Sequence, residues 1–455
     1  MKIIVVGIGK AGLSLIESLM DEGADVTVIE KSAEIVKKVT DKFNVNGVVG
    51  SGASRETLLK AGANTADMLI ALTAVDEVNL LSCMQAKNLG TRRTAARLLL
   101  TDLTQEREAL KQEYSIDYII SPKVDIAHMI YQNVGLPGNV KLEGFFDEKI
   151  QMLELNVLKD SVFAGNRLCD VKRKLNAEIL IVAVKRKGKL VVPTGDFVCE
   201  PSDDIYMVAD TEGMKNAFST MEIVKKPAKH VLIVGGGATT EYVAGMLLRD
   251  RREVTILDDD IDRCQHLMAT FPKASVAFGN MESVETLEEV DLSKKDAVIS
   301  ITERDETNLV VSLFSWAKGV HSIITRVDSP EHVKLLHNVN MDITVSPSEL
   351  ATNKLLRFVK NYEVGDGENE ILRFYSICDG AAEIMEFKVR GDFKYKNVTL
   401  KDPGFCIKKD SLIAAVIRDD EVFIPNGETC LKENDRVVIV SSKKNHIVKL
   451  EDLFK

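Results

Sequence analysis

The residues of this chain best placed to do chemistry are three glycines. Gly7-x-Gly9-x-x-Gly12 follows the apolar run Lys2-Ile-Ile-Val-Val6 and opens a helical pattern. The first glycine permits a tight strand-to-helix turn. The second lets backbone approach a pyrophosphate, and the third lets helix and sheet pack closely. A helix N-terminus also favours phosphate charge. Glu30 ends the next apolar run, 18 residues past Gly12. A carboxylate there accepts hydrogen bonds from ribose hydroxyls and repels a 2′-phosphate, which points to NAD(H) or an adenosine nucleotide. The other reading is a glycine turn in an α/β domain with an empty site. Lys10 either sets an ammonium on a phosphate or is a surface lysine at a helix start. Thr73 and Arg97 end later strands at the carboxyl edge, where ligands lie in such sheets. Arg97 suits a phosphate, or an ion pair with Asp76 or Glu77. Gly50-Ser51-Gly52-Ala53-Ser54 reads as a flexible loop beside an adenine, with Ser54 a candidate helix cap.

These residues need a sheet to hold them, and the pattern supplies one twice. Strand runs at 2–6, 25–29, 45–49, 67–72 and 93–99 alternate with helical patterns at 11–22, 32–42, 54–61 and 76–88. All-apolar strands between helices argue a parallel sheet covered on both faces. The glycine loop returns as Gly235-Gly236-Gly237, 228 residues later, with Asp258 at the position of Glu30 and Gly279 at that of Gly50. Thr73, Asp76, Glu77, Asn79 and Arg97 return as Thr302, Asp305, Glu306, Asn308 and Arg326. The third glycine becomes Thr240 and Lys10 becomes Ala238, so the second helix is expected to stand further from its sheet. The alternative is a structural pseudo-site kept for dimer packing. Residues 122–134 read as a further helix ending at a Gly135-Leu-Pro137-Gly138 linker. The stretches beyond each unit also match: Arg186, Pro193, Gly195 and Asp203 recur as Arg418, Pro425, Gly427 and Asp435. The expected fold class is α/β, two Rossmann-like doubly wound domains (1–134 and 229–360), each followed by a small α+β domain (143–222 and 372–455).

Composition narrows the function. The 455 residues carry 59 Lys+Arg against 69 Asp+Glu, a net charge of −10, which disfavours nucleic acid as a partner. Short basic runs such as Lys185-Arg186-Lys187 and Lys225-Lys226 read as solvated turns. No apolar stretch approaches a membrane span or a signal peptide. The seven cysteines lack a C-x-x-C pair and the seven histidines an H-x-x-x-H pair, so reduced thiols and no metal site are expected. A dehydrogenase needs a general acid or base, yet none of the eight tyrosines has Lys four residues on, and His128 is alone in the first 229 residues. An NAD-dependent oxidoreductase therefore stands second to a nucleotide sensor without catalytic residues.

The motifs Gly7-Ile-Gly-Lys-Ala-Gly12, Glu30, Gly50-Ser-Gly-Ala-Ser54, Ala66-Asp-Met68, Thr73-x-x-Asp76-Glu-x-Asn79 and Ala96-Arg97 resemble the N-terminal domain of RCK (KTN) regulators of potassium conductance. The following stretches resemble their C-terminal domain, and the tandem order over the whole chain resembles the two-unit regulators of Trk-type potassium uptake. The resemblance implies a cytosolic subunit, peripheral on the cell membrane through a TrkH-like potassium channel or transporter and not inserted itself. It implies a dimer or tetramer forming an RCK ring, whose shape responds to NAD(H), with ATP or ADP as alternative ligands. Carried over by position, it places phosphates on Gly7, Ile8, Gly9, Lys10 and Ala11, ribose on Glu30, the nucleotide edge on Thr73 and Ala74, and a phosphate on Arg97. In the second unit these become Gly235, Gly236, Gly237, Ala238, Thr239, Asp258, Thr302, Glu303 and Arg326. Ser51 stands where related loops commonly carry Asp.

Overall fold

The computed structural model describes all residues except 101–105, 138, 146–149, 176, 222–227, 338, 340, 342, 365–370, 378–380, 403, 405, 420 and 455. Gly138, Lys225-Lys226 and Cys378 thus lie outside the described residues. Two compact units result: Met1–His128 with Val345–Glu363, and Met129–Thr344 with Val364–Lys455.

The first unit alternates β1 (Lys2–Val6), α1 (Lys10–Asp21), β2 (Asp25–Glu30), α2 (Ala33–Phe43), β3 (Asn46–Val49), α3 (Arg55–Lys60), β4 (Met68–Ala71), α4 (Asp76–Leu89), β5 (Arg93–Arg97), α5 (Arg107–Glu113), β6 (Tyr118–Ile120) and α6 (Pro122–Asn133). The strands form one parallel sheet in the order β3-β2-β1-β4-β5-β6. The apolar runs of β1 and β4 are buried throughout because helices cover both faces. Strand order reverses between β1 and β4, and their carboxyl ends, at Gly7 and Thr73, flank the crevice such sheets use for ligands.

In the second unit, β7 (Val140–Phe145), β8 (Ile150–Asn156), α7 (Leu168–Leu175), β9 (Leu180–Arg186), β10 (Lys189–Val191), β11 (Asp204–Asp210) and α8 (Thr211–Thr220) form a small α+β module. Its antiparallel sheet has the order β10-β9-β11-β8-β7. Strand β7 begins just past the expected linker, where Val140-Lys-Leu-Glu143 alternates with a strand's period of two before Gly144-Phe145 breaks it. The second glycine loop lies in β12 (His230–Val234), α9 (Ala238–Arg249), β13 (Glu253–Asp258), α10 (Ile261–Thr270), β14 (Ser275–Phe278), α11 (Val284–Glu289), β15 (Ala297–Ser300), α12 (Asp305–Ala317), β16 (Ser322–Arg326), α13 (Pro330–His337) and β17 (Thr344–Val345). Its sheet repeats the first order, β14-β13-β12-β15-β16-β17.

Then α14 (Pro347–Val364) precedes β18 (Ile371–Ile377), β19 (Ala382–Lys388), β20 (Ser411–Arg418), β21 (Glu421–Phe423) and β22 (Arg436–Ser442), an antiparallel sheet of matching order β18-β19-β22-β20-β21. The two small sheets share one apolar cluster that joins Met152, Val182 and Val208 to Ile384, Ala414 and Val440. The matched residues Arg186 and Arg418 each form a two-pronged pair, at 2.8 and 2.7 Å, with Asp203 and Asp435.

Helix α14 follows the second glycine unit in sequence, yet it packs within the first unit. Ala351, Leu355 and Val359, four residues apart, join the cluster of Ile3, Val5, Leu15 and Ile16. Phe358 stacks on Tyr118 at 5.0 Å, and Lys354 pairs with Asp125 at 2.6 Å. Conversely Met129–Asn133 of α6 belong to the second unit, where the Tyr131 hydroxyl donates to Asp250 at 2.6 Å.

Candidate nucleotide sites on the two glycine loops

In the first loop, Gly7 has φ +92°, the left-handed region that glycine tolerates. The chain leaves it no side-chain room either: a Cβ there would lie 2.8 Å from the Thr73 amide nitrogen. A Cβ on Gly12 would strike the Gly7 carbonyl oxygen. Gly9 is different, because a Cβ there would meet nothing within 4 Å. It is the N-cap residue of α1 and brings no side chain to cap it. Among the described residues the first-turn amides of α1 thus have no side-chain cap, the arrangement that receives an anion.

Glu30 sits under this loop. One carboxylate oxygen accepts the Ile8 amide at 3.0 Å and the other the Lys31 amide at 2.7 Å. Each oxygen keeps a further lone pair for another donor such as a hydroxyl. The Gly50 amide donates to the Glu30 carbonyl at 2.9 Å, which draws the third loop to the same edge. Ser54 caps α3 through the Thr57 amide, as its position predicts. Hydrogen bonds thus tie Ile8 and Gly50 to Glu30, and close backbone contact sets Gly7 against Thr73. Gly9, Lys10 and Ala74 are exposed beside them.

Arg97 does not make the alternative ion pair with Asp76 or Glu77 among the described residues. Its Nη2 donates to the carbonyls of Leu72 (2.5 Å) and Thr73 (3.0 Å), and its Nε is buried without an acceptor among the described residues. The Asp76 carboxylate instead accepts the amides of Leu99 and Leu100. Burial pushes the Arg97 guanidinium below its ordinary value, and Asp76 acts in the opposite sense.

The second loop keeps the turn and alters its surroundings. Gly235 has φ +103°. Thr240 is fully buried, and its hydroxyl donates to the Gly235 carbonyl, the atom matching the one a Cβ on Gly12 would strike. A hydrogen bond therefore replaces the close glycine contact. Asp258 accepts the Gly236 amide at 2.5 Å, and Gly279 donates to the Asp258 carbonyl at 3.0 Å. Gly237 has open space where a Cβ would be. Two charged pairs have no equivalent in the first loop. Arg326 forms a fork with Glu303 at 2.9 and 2.9 Å, whereas the first unit has Ala74 in the place of Glu303. Burial is the largest influence and opposes the Arg326 charge, but Glu303, Asp328 and Asp305 together outweigh it, so the guanidinium is held above its ordinary value. Arg263 of α10 donates to the Gly236 carbonyl and to Glu241 of α9, bridging the loop. The matching residues of the first unit are Ile35 and Leu13.

Residues 3–122 and 231–347, together more than half of the chain, match the model of the TrkA-N domain. The chain belongs to the TrkA-N family. Among its relatives, the Trk system potassium uptake protein TrkA homolog of Archaeoglobus fulgidus is 29% identical over all of both chains. The Trk system potassium uptake protein TrkA of Vibrio alginolyticus is 26% identical over all of this chain and 98% of its own. Among solved structures, the GsuK channel bound to NAD aligns with a TM-score of 0.64 at 17% identity, over 97% of this chain and 77% of that one. The GsuK RCK domain aligns with a TM-score of 0.64 at 18% identity, over 97% and 92%.

Both TrkA-N domains contain a buried asparagine whose role only the structure reveals. Asn79 is fully buried. Its Oδ1 accepts the Thr73 amide and hydroxyl at 2.8 and 2.7 Å, while its Nδ2 donates to the carbonyls of Thr73 and Arg97, both at 2.9 Å. Asn308 makes the same four bonds to Thr302 and Arg326. The signal was the recurrence of Thr-x-x-Asp-Glu-x-Asn in both copies. Among the described residues, no helix is long and apolar enough to cross a membrane, and no cluster of three His, Cys, Asp or Glu residues could hold a metal ion.

Proposed function

We propose that this chain is a nucleotide-sensing regulatory subunit of a Trk-type potassium uptake system. It acts from the cytoplasmic side on a TrkH-like membrane channel or transporter, as a homo-oligomeric ring. The observation that carries the reading is the N-terminus of α1, free of a side-chain cap beside the Glu30 carboxylate at the switch point of the first sheet. Gly7 through Gly12 fit the phosphates of NAD(H), ATP or ADP, and Glu30 fits a ribose hydroxyl. Thr73 and Ala74 edge the crevice, and Gly50 with Ser51 borders the base. The four-module division at 1–134, 143–222, 229–360 and 372–455 goes with this reading. The relatives named as potassium uptake proteins support it, as does the likeness to the GsuK channel bound to NAD.

A nucleotide acts on a partner only as far as it binds two shapes of the subunit unequally. Calorimetric titration of the purified full chain with NAD+, NADH, ATP and ADP tests the first requirement. A ligand at about 100 times its Kd is expected to add about 2.7 kcal/mol to the stability of the binding form. No heat and no stabilisation from any of the four would sink the proposal. Reduction of NAD+ in a screen of alcohols and hydroxy acids would favour an oxidoreductase instead.

The second site is proposed to bind more weakly. There Arg263 covers the Gly236 carbonyl, and Glu241 places a carboxylate in the first turn of α9, where a phosphate would be repelled. Installing the residues of the first loop, Glu241→Leu with Arg263→Ile, should raise the measured stoichiometry toward two nucleotides per chain. Two equal binding events in the unaltered chain would show that the bridge is no barrier.

A further inference from the structure

The amino edge of the second parallel sheet, at the opposite end of its strands from the glycine loop, holds a cleft of about 350 Å³. Arg251, Arg252, Lys273 and Lys295 line it with His230 and Glu253. Four basic side chains meet in one place on a chain whose net charge is −10. Glu253 lies 3.0 Å from the His230 ring, and Asp250 is 3.5 Å from Arg252 while also accepting the Tyr131 hydroxyl. Asp291, near Lys295, pairs with Lys294 at 2.6 Å.

The first repeat is an internal control for this patch. Strand register aligns β12 and β13 with β1 and β2, β14 with β3, and β15 with β4. By that register Arg251, Arg252, Lys273 and Lys295 stand where the first unit has Gly23, Ala24, Asn44 and Ala66. The acid persists, since Glu253 matches Asp25. Both repeats end helices at this edge, and the first makes the same ends without these four cations, with Lys2 in the place of His230 and Lys42 in the last turn of α2.

Arg251 stands at a backbone cost. Gly23 closes α1 at φ +75° with its amide on the Met20 carbonyl at 3.0 Å. Arg251 closes α9 in the same turn, at φ +61° and 3.0 Å from the Leu248 carbonyl. A side chain in that region costs roughly 1–2 kcal/mol, which glycine does not incur. Two further groups are underused. Nη1 of Arg252 is buried without an acceptor among the described residues, and Lys295 is half-buried with its Nζ on Thr255 Oγ1 at 2.8 Å. Burial holds the Lys295 ammonium below its ordinary value, and a nearby anion would relieve that.

We propose that this cleft binds a compact, multiply charged phosphate group at the amino edge of the second sheet, separate from both glycine loops. Its size suits a small ligand. Glu253 is the one carboxylate among its lining residues, with Asp250 on Arg252 and Asp291 near Lys295 behind it, so four cations and a histidine leave a net positive charge for phosphate oxygens. A free phosphate and a lipid headgroup share this chemistry, and the test separates the two sources.

The test uses the full-length protein and the triple variant Arg251→Gly, Lys273→Asn, Lys295→Ala, whose residues are those of the first repeat and therefore suit the fold. Inorganic tripolyphosphate is titrated calorimetrically, and co-sedimentation is measured with phosphatidylglycerol vesicles and with neutral phosphatidylcholine vesicles. Tripolyphosphate is expected to bind the unaltered chain and the Gly9→Asp, Gly237→Asp double variant alike, and the triple variant at least tenfold more weakly. Selective sedimentation with the anionic vesicles, lost in the triple variant, assigns the phosphate to a headgroup. Binding of neither probe, or binding of both equally well by the triple variant, overturns the proposal. So does loss of tripolyphosphate binding in the Gly9→Asp, Gly237→Asp variant alone.

Discussion

Gly9→Asp is expected to abolish nucleotide binding at the first loop while leaving the fold intact or slightly more stable. The two effects separate for a structural reason. A Cβ at Gly9 meets nothing within 4 Å, and the residue already has the extended backbone (φ −80°, ψ −172°) of an N-cap. Aspartate is among the preferred residues there, and replacing glycine gains a few tenths of a kcal/mol. The same carboxylate accepts the first-turn amides of α1 and opposes a phosphate by charge. Affinity is expected to fall about 100-fold or more, about 2.7 kcal/mol, by calorimetry. The unfolding midpoint should stay or rise. Unchanged affinity would remove the loop from the site; a lower midpoint with lost binding would reduce the result to damage of the fold.

Asn79→Ala is expected to be the most damaging polar substitution at the first crevice. Removing the amide leaves the Thr73 N–H and the carbonyls of Thr73 and Arg97 short of partners in a buried setting. Each such group costs about 1–3 kcal/mol. Because Arg97 also donates to Thr73, relaxation recovers part, and a net loss of about 2–4 kcal/mol is expected by urea denaturation. Thr73 should then lose its place beside Gly7, so nucleotide affinity should fall as well. Asn308→Ala should repeat the stability loss in the second unit. A change below about 0.5 kcal/mol, the usual range for surface substitutions, would show that the bonds are not holding the crevice together.

Much of this fold could be read from local pattern. The buried runs of β1, β4, β12 and β15 are legible because a strand covered on both faces must be apolar at every position. The loop glycines at 7 and 12 are legible because backbone passes where a Cβ would be. Strand β7 was hidden by the Pro/Gly stretch before it and by an alternation only four residues long, Val140 to Glu143. The partners of Arg97 were hidden because carbonyl acceptors carry no sequence signal, and every residue has one. Likewise Arg263 and Glu241 lie 22 positions apart, and nothing in their spacing joins them.

The sequence by itself determined the duplication, the α/β class and the identity of both glycine loops, because these depend on period and on residues that tolerate only one kind of backbone. Tertiary structure alone decided that Ala351, Leu355 and Val359 of α14 pack with Ile3 and Leu15, although the chain reaches them after the second glycine unit. An apolar stripe specifies burial but not against which of two similar sheets. Tertiary structure also decided that the two loops differ. The first leaves Gly9 open, with Leu13 and Ile35 exposed at the matching positions, while the second carries Arg263 and Glu241 across its carbonyl. Such differences arise from side chains converging from separate helices, which no one-dimensional pattern records.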